Sequence, residues 1–343
     1  MTHNVDNRYS PSMNWRITKA VLPSICILIA GVLTSACGAN ASASTPVSQA
    51  TPTDPDSATA TAASLEATRA SQEGSSANAT EAASEPEIII PTATAYPNRP
   101  RFSIGQSVEG RELWLWQFGS GEITITLIGG IHGGFEGNTV VLGNMLVEHF
   151  RDNPEDILPN IRLVIIPNAN PDGYENGVDL NARFNANGVD LNRNWGCDWQ
   201  PTAFVRDIPV DPGPRPFSEP ESFALRQYFL VDEPDVVLFY HSQLGEIFLG
   251  SCDGSPQAAW LGDLLEDATG YTYNPVFNYY PITGDATNWL AERGIPAATV
   301  ELETRALPEF EVNLAGIFAL QCYYAFNEPD VDLTDPQIDR LCD

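Results

Sequence analysis

The chain holds 343 residues, enough for one moderate domain plus appended segments, and its formal net charge is −28. A surface that acidic disfavours nucleic acid and anionic lipid as partners and suits solubility outside a cell. The only lysine is Lys19. Of six cysteines, Cys26 and Cys37 fall early and Cys197, Cys252, Cys322 and Cys342 fall late.

The opening segments do not read as globular. Residues 1–19 carry Arg8, Arg16 and Lys19, and an apolar run follows from Ala20 to Ala36. A basic stretch, an apolar stretch and then small residues form an export signal, here 1–36. Leu33-Thr34-Ser35-Ala36-Cys37 resembles the lipobox of bacterial lipoproteins, with Thr34 where that pattern usually has Leu, and implies lipid attachment at Cys37. Ordinary cleavage after Ala36 and an uncleaved anchor are the alternatives, since the run barely reaches spanning length. Removing 1–36 takes away Asp6 against Arg8, Arg16 and Lys19, moving the charge from −28 to about −30. Residues 37–98 are mostly Ala, Ser, Thr and Pro with scattered acids. Nothing there can bury a core, so a disordered tether is expected. The reading is of an exported monomer on the extracytoplasmic side, held to a membrane by its lipid alone.

The remainder, 99–343, has the size of one α/β domain. Arg111–Gln117 and Glu122–Ile128 read as strands joined through Gly119-Ser120-Gly121. A helix is predicted over 138–150, a strand over Ile161–Pro167, a helix over 219–230 and a strand over 235–240. Helices follow over 256–268 and 286–293, a strand over Ala297–Leu302, and a closing helix over 311–326. Strands alternating with helices argue for a three-layer α/β/α sandwich.

His132 and His241 each close an apolar, β-branched run, Ile-Thr-Ile-Thr-Leu-Ile (123–128) and Val-Val-Leu-Phe-Tyr (236–240). Carboxyl ends of strands are where open α/β sheets form crevices. With Glu136, these two imidazoles make the ligand set of one catalytic zinc ion whose fourth position stays open. His149 sits on the amphipathic 138–150 segment and reads as a hydrogen-bonded core or surface residue. The four late cysteines suggest two disulfides with three possible connectivities. Cys197–Cys252 and Cys322–Cys342 are expected: the first two follow active-site segments, and the last pair could staple the tail to the closing helix. A Cys/His structural zinc competes, without any Cys-x-x-Cys spacing to support it.

Five ordered segments then carry a family resemblance. They are Ile104–Arg111, Gly-Gly-Ile-His-Gly-Gly-Phe-Glu (129–136), Pro-Asn-Ala-Asn-Pro-Asp-Gly (167–173), Gly-Val-Asp-Leu-Asn-Arg-Asn-Trp (188–195), and Phe217–Glu221 through His241-Ser242. Across nearly all of 103–327 the chain resembles the M14 zinc carboxypeptidases, which implies their mixed central sheet. The first two ligands depart from the family's His-x-x-Glu by one extra residue, which Gly133 and Gly134 have the freedom to absorb.

The resemblance implies roles. Glu301, in Thr-Val-Glu-Leu-Glu (299–303), matches the general base that works on zinc-activated water, with Glu303 on the same strand face as the other candidate. Arg183 matches the arginine that stabilises the oxyanion, and Asn192-Arg193 the pair that grips a terminal carboxylate. Tyr280 matches the mobile tyrosine over the substrate, although Tyr279 adjoins it. Thr287 and Asp285 fall in the side-chain pocket segment. If Asp285 points inward, basic or amphoteric terminal residues are accepted; if it caps the following helix, its charge says nothing about substrate.

The leading expectation is a metallocarboxypeptidase acting on peptides with a free carboxylate. The alternatives are an amidase of the same fold cutting γ-D-glutamyl-diaminopimelate bonds in muropeptides, and a non-catalytic surface binding lipoprotein. Retention of the three zinc ligands and Glu301 argues against the last.

Overall fold

The computed structural model describes residues 100–329 and 331–342. The export signal, Cys37 and the tether expected over 37–98 lie outside the described residues. The domain opens with β1 (Arg101–Gln106), β2 (Glu112–Gly119) and β3 (Ile123–Ile128), followed by helix α1 (Gly137–Asp152) and β4 (Ile161–Ile166). A one-turn helix α2 (Pro171–Glu175) and a small hairpin, β5 (Ala203–Val205) with β6 (Ile208–Val210), lead to α3 (Pro220–Asp232). Then come β7 (Val236–Ser242), β8 (Glu246–Leu249), α4 (Ala259–Thr269), β9 (Thr272–Asn274), α5 (Ala286–Glu292), β10 (Ala297–Leu302), α6 (Phe310–Asn327) and α7 (Pro336–Cys342).

Eight strands form one mixed sheet in the order β1-β2-β4-β3-β7-β10-β8-β9. Its centre, β4-β3-β7-β10, is parallel, and antiparallel pairs flank it on both sides. β2 and β3 follow each other in the chain, yet β4 inserts between them. β7 is buried along its whole length, which explains its unbroken apolar run.

Strand alternation sorts the core into two layers. Val236, Leu238 and Tyr240 of β7 and Ala298, Val300 and Leu302 of β10 face Leu142, Leu146, Leu261, Leu265, Ile317 and Leu320 of α1, α4 and α6. Val237, Phe239 and Ala297 face the other way, onto Leu225 and Phe229 of α3, Leu290 of α5 and the indoles of Trp195 and Trp289. The result is three layers, α/β/α, with burial of each large aliphatic side chain worth about 1.5–3 kcal/mol. The same alternation decides the site. His241 and Glu301 continue the Val237/Phe239 and Ala297 rows, so both belong to the α3/α5 face. Two disulfides, Cys197–Cys252 and Cys322–Cys342, are those expected, and the second ties α7 to α6.

Candidate active site

The site gathers at the carboxyl ends of three adjacent parallel strands. β3 runs into Gly129-Gly130-Ile131-His132, β7 contains His241 in its last turn of ladder, and β10 carries Glu301 directly opposite His241 in the β7–β10 register. Glu136 returns to His132 through a 3₁₀ turn, Gly133–Glu136. The extra residue in this turn is accommodated by two glycines. Gly133 has φ +49°, and a Cβ there would lie 2.4 Å from the Ala182 carbonyl oxygen. A Cβ on Gly134 would lie 1.8 Å from the Gly177 carbonyl oxygen. The turn is pinned at both ends by Thr139, whose hydroxyl accepts from the Gly130 N–H and donates to the Glu136 carbonyl.

Three ligand atoms converge. One atom each from His132, Glu136 and His241 lies within 4.8 Å of the other two, and all three residues are buried. The Nδ1 atoms of the two histidines stand 3.2 Å apart. Glu136 reaches His132 Nδ1 through Oε1 at 3.0 Å and His241 Nδ1 through Oε2 at 3.2 Å. Burial opposes the Glu136 charge, but the two imidazoles outweigh it and hold the carboxyl well below the usual range. Two nitrogens and a carboxylate oxygen, buried and aimed at one point, fit a divalent metal of the zinc type.

Asp190 organises the surroundings, a role the sequence did not disclose. Its Oδ2 accepts from Arg183 Nε at 2.8 Å, and its Oδ1 accepts from the Asn192 N–H at 3.0 Å and lies 3.5 Å from His132 Nε2. It is wholly buried; burial works against its charge, but Arg183 and His132 hold the carboxyl well below its ordinary value. His132 Nε2 makes no hydrogen bond among the described residues, so Asp190 bears on the ring mainly through its nearby charge. The only available signal was its place two residues before Asn192-Arg193. Arg183, ending the 3₁₀ turn Leu180–Arg183, sends Nη1 to within 3.1 Å of His132 Nδ1. Asn170 bridges the two walls, donating to the carbonyls of Ile131 and Arg183.

A cleft of about 810 Å³ opens above these residues and is lined by Arg183, Asn192, Arg193, Tyr280, Thr287 and Glu301, among others. The Glu301 side chain is partly open to the cleft, yet protein surrounds it closely, and Oε2 has no hydrogen-bond partner among the described residues. Burial first, and the neighbouring Glu136 charge second, push its carboxyl well above the normal range. Glu303 lies beyond the end of β10, is exposed, and does not line the cleft.

Tyr279 and Tyr280 part company. Tyr279 is 55% exposed and donates to Glu246 Oε1 at 2.6 Å, whereas Tyr280 is partly buried against Phe277 within the fields of Arg193 and Arg183. Asp285 is the N-cap of α5: Oδ1 accepts from the Asn288 N–H at 3.1 Å and from Thr287 Oγ1 at 2.7 Å. It also lines the cleft, and its Oδ2 accepts from Asn192 Nδ2 at 2.8 Å. His149 lies apart, paired with Asp156 at 2.8 Å and packed on Phe150 and Phe310.

A three-layer sandwich with a buried His–Glu–His cluster at its parallel strand ends is the architecture of a metal-dependent hydrolase. Residues 87–248, a little under half of the chain, match the zinc carboxypeptidase (M14 peptidase) family. The matched range holds His132, Glu136 and His241 together with Arg183, Asn192 and Arg193, and ends before Tyr280 and Glu301. Human carboxypeptidase D is 33% identical over 154 residues, 40% of this chain but 10% of that protein, so the match spans about a tenth of this relative's length. The murein-tripeptide amidase MpaA from Escherichia coli O157 superposes with TM-score 0.50 at 25% identity, over 67% of this chain and 94% of that structure. Carboxypeptidase A from Helicoverpa armigera, at 21% identity and TM-score 0.55 over 64% of this chain and 68% of that structure, shares the fold.

Proposed function

We propose that the chain is an exported zinc metallocarboxypeptidase that hydrolyses the last peptide bond of substrates ending in a free carboxylate. The observation that carries this reading is the meeting of His132, Glu136 and His241 at one point, with Glu301 beside them on the same sheet face. His132, Glu136 and His241 would hold one zinc ion, which would supply Lewis-acid chemistry for the scissile carbonyl and for water near neutral pH. Glu301 takes the proton from the attacking water and passes it to the departing amine; its raised proton affinity suits both halves of that task. Arg183, braced by Asp190, presents its guanidinium to the oxygen on which negative charge grows. Asn192 and Arg193 hold the terminal carboxylate, Tyr280 closes over the substrate, and Thr287 lines the pocket for the terminal side chain.

A second reading is a muropeptide amidase, favoured by the match to MpaA along nearly all of that structure. Its substrate also carries free carboxylates, so the same clamp serves it. The experiment is a panel of C-terminally free peptides, their amides and muropeptides, assayed with and without a zinc chelator. Release of single C-terminal residues from free peptides, abolished by chelator, is the expected result. Equal rates on amidated peptides would remove the carboxylate clamp, and cleavage of muropeptides alone would favour the amidase.

Export and lipid attachment at Cys37 are part of the proposal, supported by the basic–apolar–small order of 1–36 and the lipobox resemblance. A Cys37→Ser variant is expected to leave the membrane fraction.

A further inference from the structure

The segment carrying Asn192 and the segment carrying Asp285 are 93 residues apart, yet they pack as one unit. The Trp195 N–H donates to the Gly284 carbonyl at 3.1 Å, and the Gly284 N–H donates to the Cys197 carbonyl at 3.0 Å. Gly284 has φ +61°, and a Cβ there would lie 2.3 Å from the Arg193 carbonyl oxygen, so the contact is close enough to require glycine. Across this junction the Asn192 amide is held at both ends. Its Nδ2 donates to Asp285 Oδ2 at 2.8 Å, and its Oδ1 accepts from the Ala286 N–H at 3.0 Å. Both Asn192 and Asp285 are buried, with relative exposures of 5% and 4%.

We propose that Asp285 is a positioning residue for the substrate's terminal carboxylate: through its bond to Asn192 it turns one amide hydrogen of that side chain toward the ligand. This rests on the reading of Asn192 and Arg193 as the carboxylate clamp. An amide nitrogen carries two hydrogens. With one given to Asp285 and the carbonyl end taken by Ala286, the rotamer is fixed and the second hydrogen remains for the substrate. The carboxylate of Asp285 is already shared among Asn192, Thr287 and Asn288. Helix capping and substrate gripping are joined in one side chain.

The sign of the effect tests the idea. A negative charge near an anionic ligand should weaken binding by itself, so neutralising Asp285 would lower KM if charge were its main influence. Positioning demands the opposite. Asp285→Asn keeps an oxygen for the Asn288 N–H but places an amide where the acceptor for Asn192 stood. Asp285→Ser keeps a favourable cap and simply loses the reach to Asn192. Both are assayed as the full chain with zinc bound, on a C-terminally free peptide and its amide, with thermal unfolding recorded alongside. The expected result is a rise of about tenfold in KM for the free peptide, the equivalent of one charge-assisted hydrogen bond, with most of the loss in KM rather than kcat. Preference for the free over the amidated peptide should fall by a similar factor. An unchanged or lowered KM in a folded variant overturns the proposal, as does an equal loss on both peptides. If Asp285→Asn does not fold, Asp285→Ser decides. A wild-type protein that ignores amidation refutes the carboxylate clamp itself, a failure distinct from a clamp that works without Asp285.

Discussion

The two walls of the cleft are fixed by different forces. On the metal side, His132, His241 and Glu301 ride on the ends of β3, β7 and β10, whose separations are set by backbone hydrogen bonds and by two apolar layers beneath. On the substrate side, Arg183, Asn192, Arg193 and Tyr280 sit in 3₁₀ turns and loops. There position depends on side-chain bonds from Asp190, Asn170 and Asp285, on close glycines, and on the Cys197–Cys252 bridge. The first wall should tolerate little and fail completely; the second should fail by degrees.

Loss of a ligand is the harshest test of that contrast. His241→Ala should abolish bound zinc by elemental analysis and lower kcat/KM by more than about 10³-fold, beyond the 10–100-fold typical of residues that merely support a ligand. Glu301→Gln should keep the metal and lose about 10²–10⁴-fold in kcat. The wild-type pH profile sharpens this point. The base must be deprotonated, and burial together with Glu136 raises its affinity for protons. Activity should therefore decline as pH falls through a value above the ordinary carboxylate range, and Glu301→Gln should lose that acid limb. A flat profile over that range would place the base elsewhere.

Next in size is the glycine turn. Gly134→Ala drives a methyl group into the Gly177 carbonyl, so Glu136 must shift; zinc affinity measured by chelator competition should weaken about 10–100-fold. On the substrate wall, replacing Cys197 and Cys252 by Ser releases a link spanning 55 residues. About 2–4 kcal/mol of unfolding free energy should disappear, with KM rising more than kcat falls. The smallest effect belongs to His149→Gln. Its pair with Asp156 is partly exposed, so stability should change by no more than about 1 kcal/mol and activity by nothing measurable.

The legible parts of the fold were those whose physics is local. β4 and β7 announce themselves as apolar runs because they are buried on both faces, and α1 shows its periodicity because only one face is covered. The strands that were missed are marginal: β1 reads Arg-Phe-Ser-Ile-Gly-Gln at an edge, β8 has four residues and β9 three at the other edge, and β5–β6 is a three-residue hairpin. α7 was missed too, being seven residues long. Insertion of β4 between β2 and β3 could not be read from a short Gly-Ser-Gly link, since pairing is not local. At the site, the residues ending strands stood out, whereas Asp190 acts only through partners distant in sequence. Adjacent candidates were undecidable from pattern alone. Tyr279 and Tyr280 both line the cleft, but Tyr279 is exposed with its hydroxyl held by Glu246 while Tyr280 is partly buried, and Glu303 falls outside because β10 stops at Leu302. Asp285 was ambiguous because a helix cap and a pocket residue can occupy the same position, and here one side chain is both, capping α5 and lining the cleft.

The cross-strand pairing of position 301 with position 241 has a wider consequence. Neighbouring strands are spaced by about 4.8 Å whatever their sequence, so the spacing between the Glu301 carboxylate and the His241 imidazole is inherited from the ladder itself. Insertions, loop swaps and a rebuilt rim leave it unaltered. Changes at the rim of the cleft can therefore leave the spacing of positions 241 and 301 beneath it intact.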